Sequence, residues 1–183
     1  MLKAAFALIL FVTVAAQAAE PASAQAKPAM PLAAAQAAQC PDPAFHQFDF
    51  WIGDWDTFDP DSPAPTVIGR ARIDPIAAGC AIHELYEQRD GLIGDSILSY
   101  DAVRKVWQQT WVDNHGSLMV NSGAFKDGAV TMEGETHQRS GKMYRQRITW
   151  RAEGDGVREL STRSMDGGKT WEPFFDVLFK KRM

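Results

Sequence analysis

Basic residues never cluster in this sequence. Its 19 Lys and Arg are outnumbered by 23 Asp and Glu, and a formal net charge of −4 without a Lys/Arg run gives nucleic acid or an anionic membrane surface nothing to hold. Long apolar runs are missing too: past the N-terminus no segment approaches the roughly 20 apolar residues a membrane helix requires. Histidine is sparse, and none of His46, His83, His115 and His137 stands at metal-ligand spacing from another His, Asp or Glu, so no metal is expected. No Gly-rich phosphate loop leads from a strand into a helix, and no G-x-S-x-G elbow is present. From Cys40 onward no stretch carries a helical period.

What the N-terminus does contain is an address. Lys3 precedes an apolar run from Ala4 to Ala16, and Ala16-Gln17-Ala18 has the small-x-small form of a cleavage site. Residues 1–19 therefore read as a secretory signal peptide, and the mature protein is expected to be periplasmic or secreted. Residues 20–39 are almost entirely Ala, Gln, Pro and Ser, with Glu20 and Lys27 as their only charges, which predicts a disordered linker. Residues 40–183 are then about the size of one domain with one core. Cys40 lies too far beyond the apolar run for a lipid anchor. In an oxidising compartment Cys40 and Cys80 are expected to pair, which constrains the unfolded chain by about 4 kcal/mol in the entropy model. No compositional cue activates either thiol as a nucleophile.

The domain is built of short β-branched and aromatic runs, at about 48–57, 66–74, 79–88, 93–100, 105–112, 117–124, 129–137, 143–151, 156–163 and 172–181. Between them stand Asp90-Gly91, Asn114 to Gly116, Asp127-Gly128, Ser140-Gly141 and Gly154 to Gly156, residues that tolerate positive φ in tight hairpins. Links this short force antiparallel neighbours, because a parallel crossover takes a dozen residues or more. The fold class is all-β, a single up-and-down antiparallel barrel of about ten strands, with a β-sandwich as the rival. No repeat of 20 to 50 residues is visible, which argues against a propeller.

Several motifs carry a resemblance. The run Phe48-Asp49-Phe50-Trp51-Ile52-Gly53-Asp54-Trp55 is followed by Gly79-Cys80 with Glu84, by Gly94-Asp95-Ser96, and by Trp107-x-Gln109-x-Trp111-x-Asp113 with Gly116. With Ser164-x-Asp166-Gly167-Gly168-x-Thr170-Trp171 they resemble a family of exported bacterial domains of unknown function that bears an FDFWIGxW signature, and the resemblance spans nearly all of residues 40–183. It implies a calycin-like barrel, related to lipocalins and nitrobindin-like haem barrels, and no settled chemistry. Gly53-Asp54-Trp55 looks like the lipocalin G-x-W, which implies that Trp55 closes one barrel end beneath Lys180, Lys181 or Arg182. A haem reading would need a histidine in the late strands; all four lie earlier, and no cofactor is expected. Ser164 to Trp171 fits the Asp-box pattern, a folded hairpin whose single copy cannot make a sialidase propeller.

Strand parity nominates the lumen. Trp107, Gln109 and Trp111 share one face of their strand, and neighbouring strands offer Ile82, Glu84 and Tyr86, then Ser96 and Leu98, then Met119 and Asn121. These would line a cavity with aromatic walls and a few polar contacts, although a tryptophan pair and a closed Ser96, Gln109, Asn121 network also serve a packed core. Glu84 is the sharpest candidate, because a carboxylate on an apolar strand needs either a partner, Arg145 or Arg147, or a role in ligand chemistry. The candidate ligand-binding set is Glu84, Tyr86, Ser96, Trp107, Gln109, Trp111, Met119, Asn121 and Arg145. His83 has outward parity. Glu133 and Glu135 look like cross-strand pairs with Arg145 and Arg147, with a lumen position as the alternative.

Three functions follow. The first is a barrel that binds a small apolar or amphipathic ligand without transforming it. The second is an enzyme with Glu84 as acid/base, in which Gln109 or Asn121 polarises an oxygen while the tryptophans stack on the substrate. The third is an interaction module whose lumen is packed core. Oligomeric state is not legible.

Overall fold

The computed structural model describes residues 40–182; the expected signal peptide and linker lie outside the described residues. Ten strands form the wall: β1 (Gly53–Phe58), β2 (Val67–Ile76), β3 (Ala81–Gln88), β4 (Ile93–Asp101), β5 (Val106–Asp113), β6 (Leu118–Lys126), β7 (Ala129–His137), β8 (Met143–Glu153), β9 (Gly156–Ser164) and β10 (Glu172–Lys181). Each pairs antiparallel with its chain neighbour, and β1 pairs with β10, so the sheet closes as an up-and-down barrel. Closure leaves no edge strand for pairing with another chain. Among the described residues no helix is long and apolar enough to cross a membrane.

Local chemistry sets the register. Asp127 (φ 52°) and Gly128 (φ 78°) form a two-residue hairpin with both φ positive, and Lys126 therefore faces Ala129. Alternation then fixes the faces. On β3, Ile82, Glu84 and Tyr86 are buried while Leu85 and Glu87 are exposed; on β8, Tyr144, Gln146, Ile148 and Trp150 are buried between outward residues.

The aromatic run at the N-terminus departs from the expected strand over 48–57. Phe48 caps a short 3-10 turn, Asp49–Trp51, and the strand begins only at Gly53. The reason is spacing. Phe48 and Trp51 stand three apart, so a 3-10 turn directs both into the barrel, whereas a strand would put them on opposite faces. Both are fully buried. Phe48 packs edge-on against Trp107 (5.0 Å) and Trp150 (5.5 Å), and Trp51 against Phe179 (5.7 Å). Trp55 donates its indole N–H to the Trp51 carbonyl at 2.9 Å, and Lys181 Nζ sits 5.8 Å from the Trp55 ring centre. This aromatic cluster seals one end of the barrel, the floor. The Cys40–Cys80 disulfide is formed, and ties the segment that carries the plug to the link between β2 and β3.

Candidate functional site

Odd-numbered strands run from the floor to the other end, the mouth, where the β3–β4, β5–β6, β7–β8 and β9–β10 links lie. Between floor and mouth is a cavity of about 300 Å³. Its wall is largely aromatic and aliphatic: Tyr86, Leu92, Trp111, Met119, Tyr144, Ile148, Phe174, Phe175, Val177 and Phe179. Polar groups are few: Glu84, Gln88, Gln109, Asp113, Ser117, Thr136, Gln146 and Glu159. The lumen is therefore not wholly packed core.

Of the residues nominated by parity, Glu84, Tyr86, Gln109, Trp111 and Met119 line this cavity. Ser96, Trp107 and Asn121 face inward but stand behind it. Trp107 belongs to the floor, where its indole N–H donates to Gln47 Oε1 at 3.1 Å. Ser96 Oγ donates to Glu84 Oε2 at 2.8 Å, and Asn121 Nδ2 donates to Gln109 Oε1 at 3.4 Å. Arg145 is not a lumen residue. It alternates with buried Tyr144 and Gln146, so it points outward, where its guanidinium pairs with Glu133; Arg147 joins the same carboxylate at 2.8 Å. Neither arginine partners Glu84, and the Glu133 pairs are outer-face cross-strand pairs. His83 also faces outward, against Asp95.

Glu84 meets another acid instead. Glu159 on β9 lines the same cavity, and the Glu84 carboxyl raises its pKa. Burial is the larger cause in both. It pushes Glu84, 4% exposed, up to about 7, with the Ser96 hydroxyl opposing and Asp95 adding to the rise. Glu159 is raised well above the carboxylate range, first by burial and then by Glu84, with Trp150 opposing. Among the described residues Glu84 accepts a side-chain hydrogen bond only through Oε2, from Ser96. Burial likewise pushes the Tyr86 phenol up to about 12, so it remains a neutral donor.

Three local devices shape the wall. The Trp111 ring lies directly over Gly94 on the adjacent strand, in space that a β-carbon would occupy. A register shift between Pro173 and Phe175 turns two consecutive aromatics, Phe174 and Phe175, toward the cavity, which regular alternation forbids. Across β7, β8 and β9, Thr136 Oγ1 donates to Gln146 Oε1 and Gln146 Nε2 to Ser161 Oγ, both at 2.9 Å. At the mouth, burial pushes Asp113 up, but the backbone N–H groups of Ser117 and His115 and the Trp111 indole hold it below its ordinary value.

The Asp-box segment folds as a hairpin beside this mouth. Asp166 accepts from Lys169 N (3.0 Å), Thr170 N (2.9 Å) and the Thr170 hydroxyl (2.7 Å), and Trp171 Nε1 donates to the Gly168 carbonyl at 3.1 Å. Among the described residues no cluster of three or more His, Cys, Asp or Glu is placed to hold a metal. No protein-family model matches the chain, and no curated protein does.

Glu159 is an acidic residue of the cavity wall that sequence reasoning missed. A signal was present: Val157, Glu159 and Ser161 alternate with Arg158 and Leu160, and two of the three are residues that suit an interior.

Proposed function

We propose that this protein is a periplasmic or secreted barrel that binds a small amphipathic ligand in its lumen. One observation carries the reading: a cavity of about 300 Å³, sealed by the aromatic floor and lined by aromatic and aliphatic side chains with a few convergent polar groups. That volume lies at the lower end of the ~300–1,000 Å³ of ligand pockets, so the ligand is compact. Export is supported by the signal-like residues 1–19, and the Cys40–Cys80 disulfide is compatible with it.

Native mass spectrometry of the protein purified from its own host tests this. A co-purifying molecule that is lost when Trp111→Ala opens the wall supports lumen binding. Protein that is empty, and that no small amphiphile stabilises against heat, overturns it.

A second reading is favoured by one observation: burial places Glu84 at about 7, where a carboxyl both gives and takes protons at neutral pH. An acid/base enzyme would convert the bound molecule, and Glu84→Gln would leave it bound and unchanged. A carrier returns it intact from both proteins.

A further inference from the structure

We propose that the ligand carries a protonated amine, seated against the Glu84 and Glu159 carboxylates with its apolar part along the aromatic wall; this rests on the lumen-binding reading above. The charge inventory of the cavity carries the inference. Three acids line it, Glu84, Glu159 and Asp113, and no Lys, Arg or His does. The arginines of β8 and β9 are engaged elsewhere: Arg145 and Arg147 with Glu133, Arg151 with Glu153, Arg158 with Asp176, and Arg163 with Glu172.

Buried acids without a cation are costly, and the ligand-free protein meets the cost by keeping protons on them. Glu84, only 4% exposed, accepts from Ser96 through Oε2 and among the described residues has no second donor on Oε1, and the half-buried Glu159 lines the same cavity. An ammonium group supplies both the missing charge and donors for these oxygens. Above pH 7, where Glu84 ionises, a carboxylate ligand would meet like charge and an uncharged one would leave that charge unneutralised. The rings of Tyr86 and Trp111, with centres 6.3 Å apart, line the same cavity and also favour a cation. Asp113, held ionised at the mouth, gives the entrance a negative potential.

Proton competition follows. Glu159 and Tyr86 line the cavity with Glu84, and Asp95 stands on the adjoining strand. Burial first and then Asp95 disfavour the Glu84 anion, so cation binding weakens as pH falls through about 7.

Calorimetric titration of the full chain with octylamine, octanol and octanoate at pH 8 tests the proposal, with octylamine repeated at pH 6. Octylamine is expected to bind at least tenfold more tightly than octanol, to weaken at pH 6, and to bind more tightly than octanoate. In Glu159→Gln the amine advantage should fall severalfold while octanol binding is kept. Glu84→Gln takes its place if that variant lacks a cooperative melt, and the wild-type series decides even if neither folds. Octanol or octanoate binding as well as octylamine overturns the amine assignment but leaves lumen binding standing. Binding of none of the three overturns both.

Discussion

A carboxyl that is 4% exposed, held by one hydroxyl and opposed by a second acid costs the ligand-free protein more as pH rises. The sign follows from proton linkage: with its folded pKa raised from 4.5 to about 7, Glu84 binds more protons in the native state. Its contribution is full below about 4.5 and is lost as pH climbs through about 7. A shift of that size corresponds to roughly 3 kcal/mol. Glu84→Gln keeps an acceptor for Ser96 and removes the ionisation. We expect it to raise thermal stability at pH 8, to change little at pH 4.5, and to flatten the slope between; calorimetric melts across that range check it, and equal shifts at both pH values would contradict the linkage. Gly94 matters for a steric reason. A β-carbon there meets the Trp111 ring on the cavity wall, so Gly94→Ala should cost about 1–3 kcal/mol by overpacking and displace that ring. Urea unfolding and the loss of ligand affinity measure the two effects, and an unchanged affinity would separate Trp111 from the site.

Elements were legible where one period governed them. On β3 to β6 alternation alone placed Glu84, Tyr86, Gln109, Trp111 and Met119 inward, because in a barrel the pleat leaves only two choices per residue. The opening aromatic run was not legible in that way. Its density of Phe and Trp matches strand propensity, whereas its burial follows an i, i+3 spacing that only the turn satisfies. Arg145 and Arg147 were drawn toward Glu84 by the need for a counter-charge, although Gln146, Ile148 and Trp150 already claimed the inner face of β8. The plug itself depends on its tether. Replacing Cys40 and Cys80 together with alanine should lower stability by up to about 4 kcal/mol, the loop-closure value, read as a fall in the urea midpoint. Phe48→Ala empties the floor between Trp107 and Trp150 and should cost about 3–5 kcal/mol. A Phe48 variant as stable as the parent would mean that the plug does not close the barrel.

At the scale of the whole molecule, closure makes the site. Four hydrogen-bonded steps through β2, β1 and β10 separate β3 from β9, so Glu84 and Glu159 are not pleat neighbours. Glu84 acts on Glu159 because the sheet curls shut and puts both on one cavity. Reading neighbouring strands finds Ser96 beside Glu84, but it cannot find an acid that arrives across the lumen. The consequence is measurable as non-additivity. The Glu84 carboxyl raises Glu159, so removing Glu84 relieves the remaining acid. At pH 8 the Glu84→Gln and Glu159→Gln gains in stability should therefore sum to more than the double variant gains, with a coupling of roughly 0.5–3 kcal/mol, the range of interacting sites. At pH 4.5, where both acids are protonated, the cycle should close with little coupling. Additive gains at pH 8 would show that each acid responds to burial alone, and that the two do not form one site.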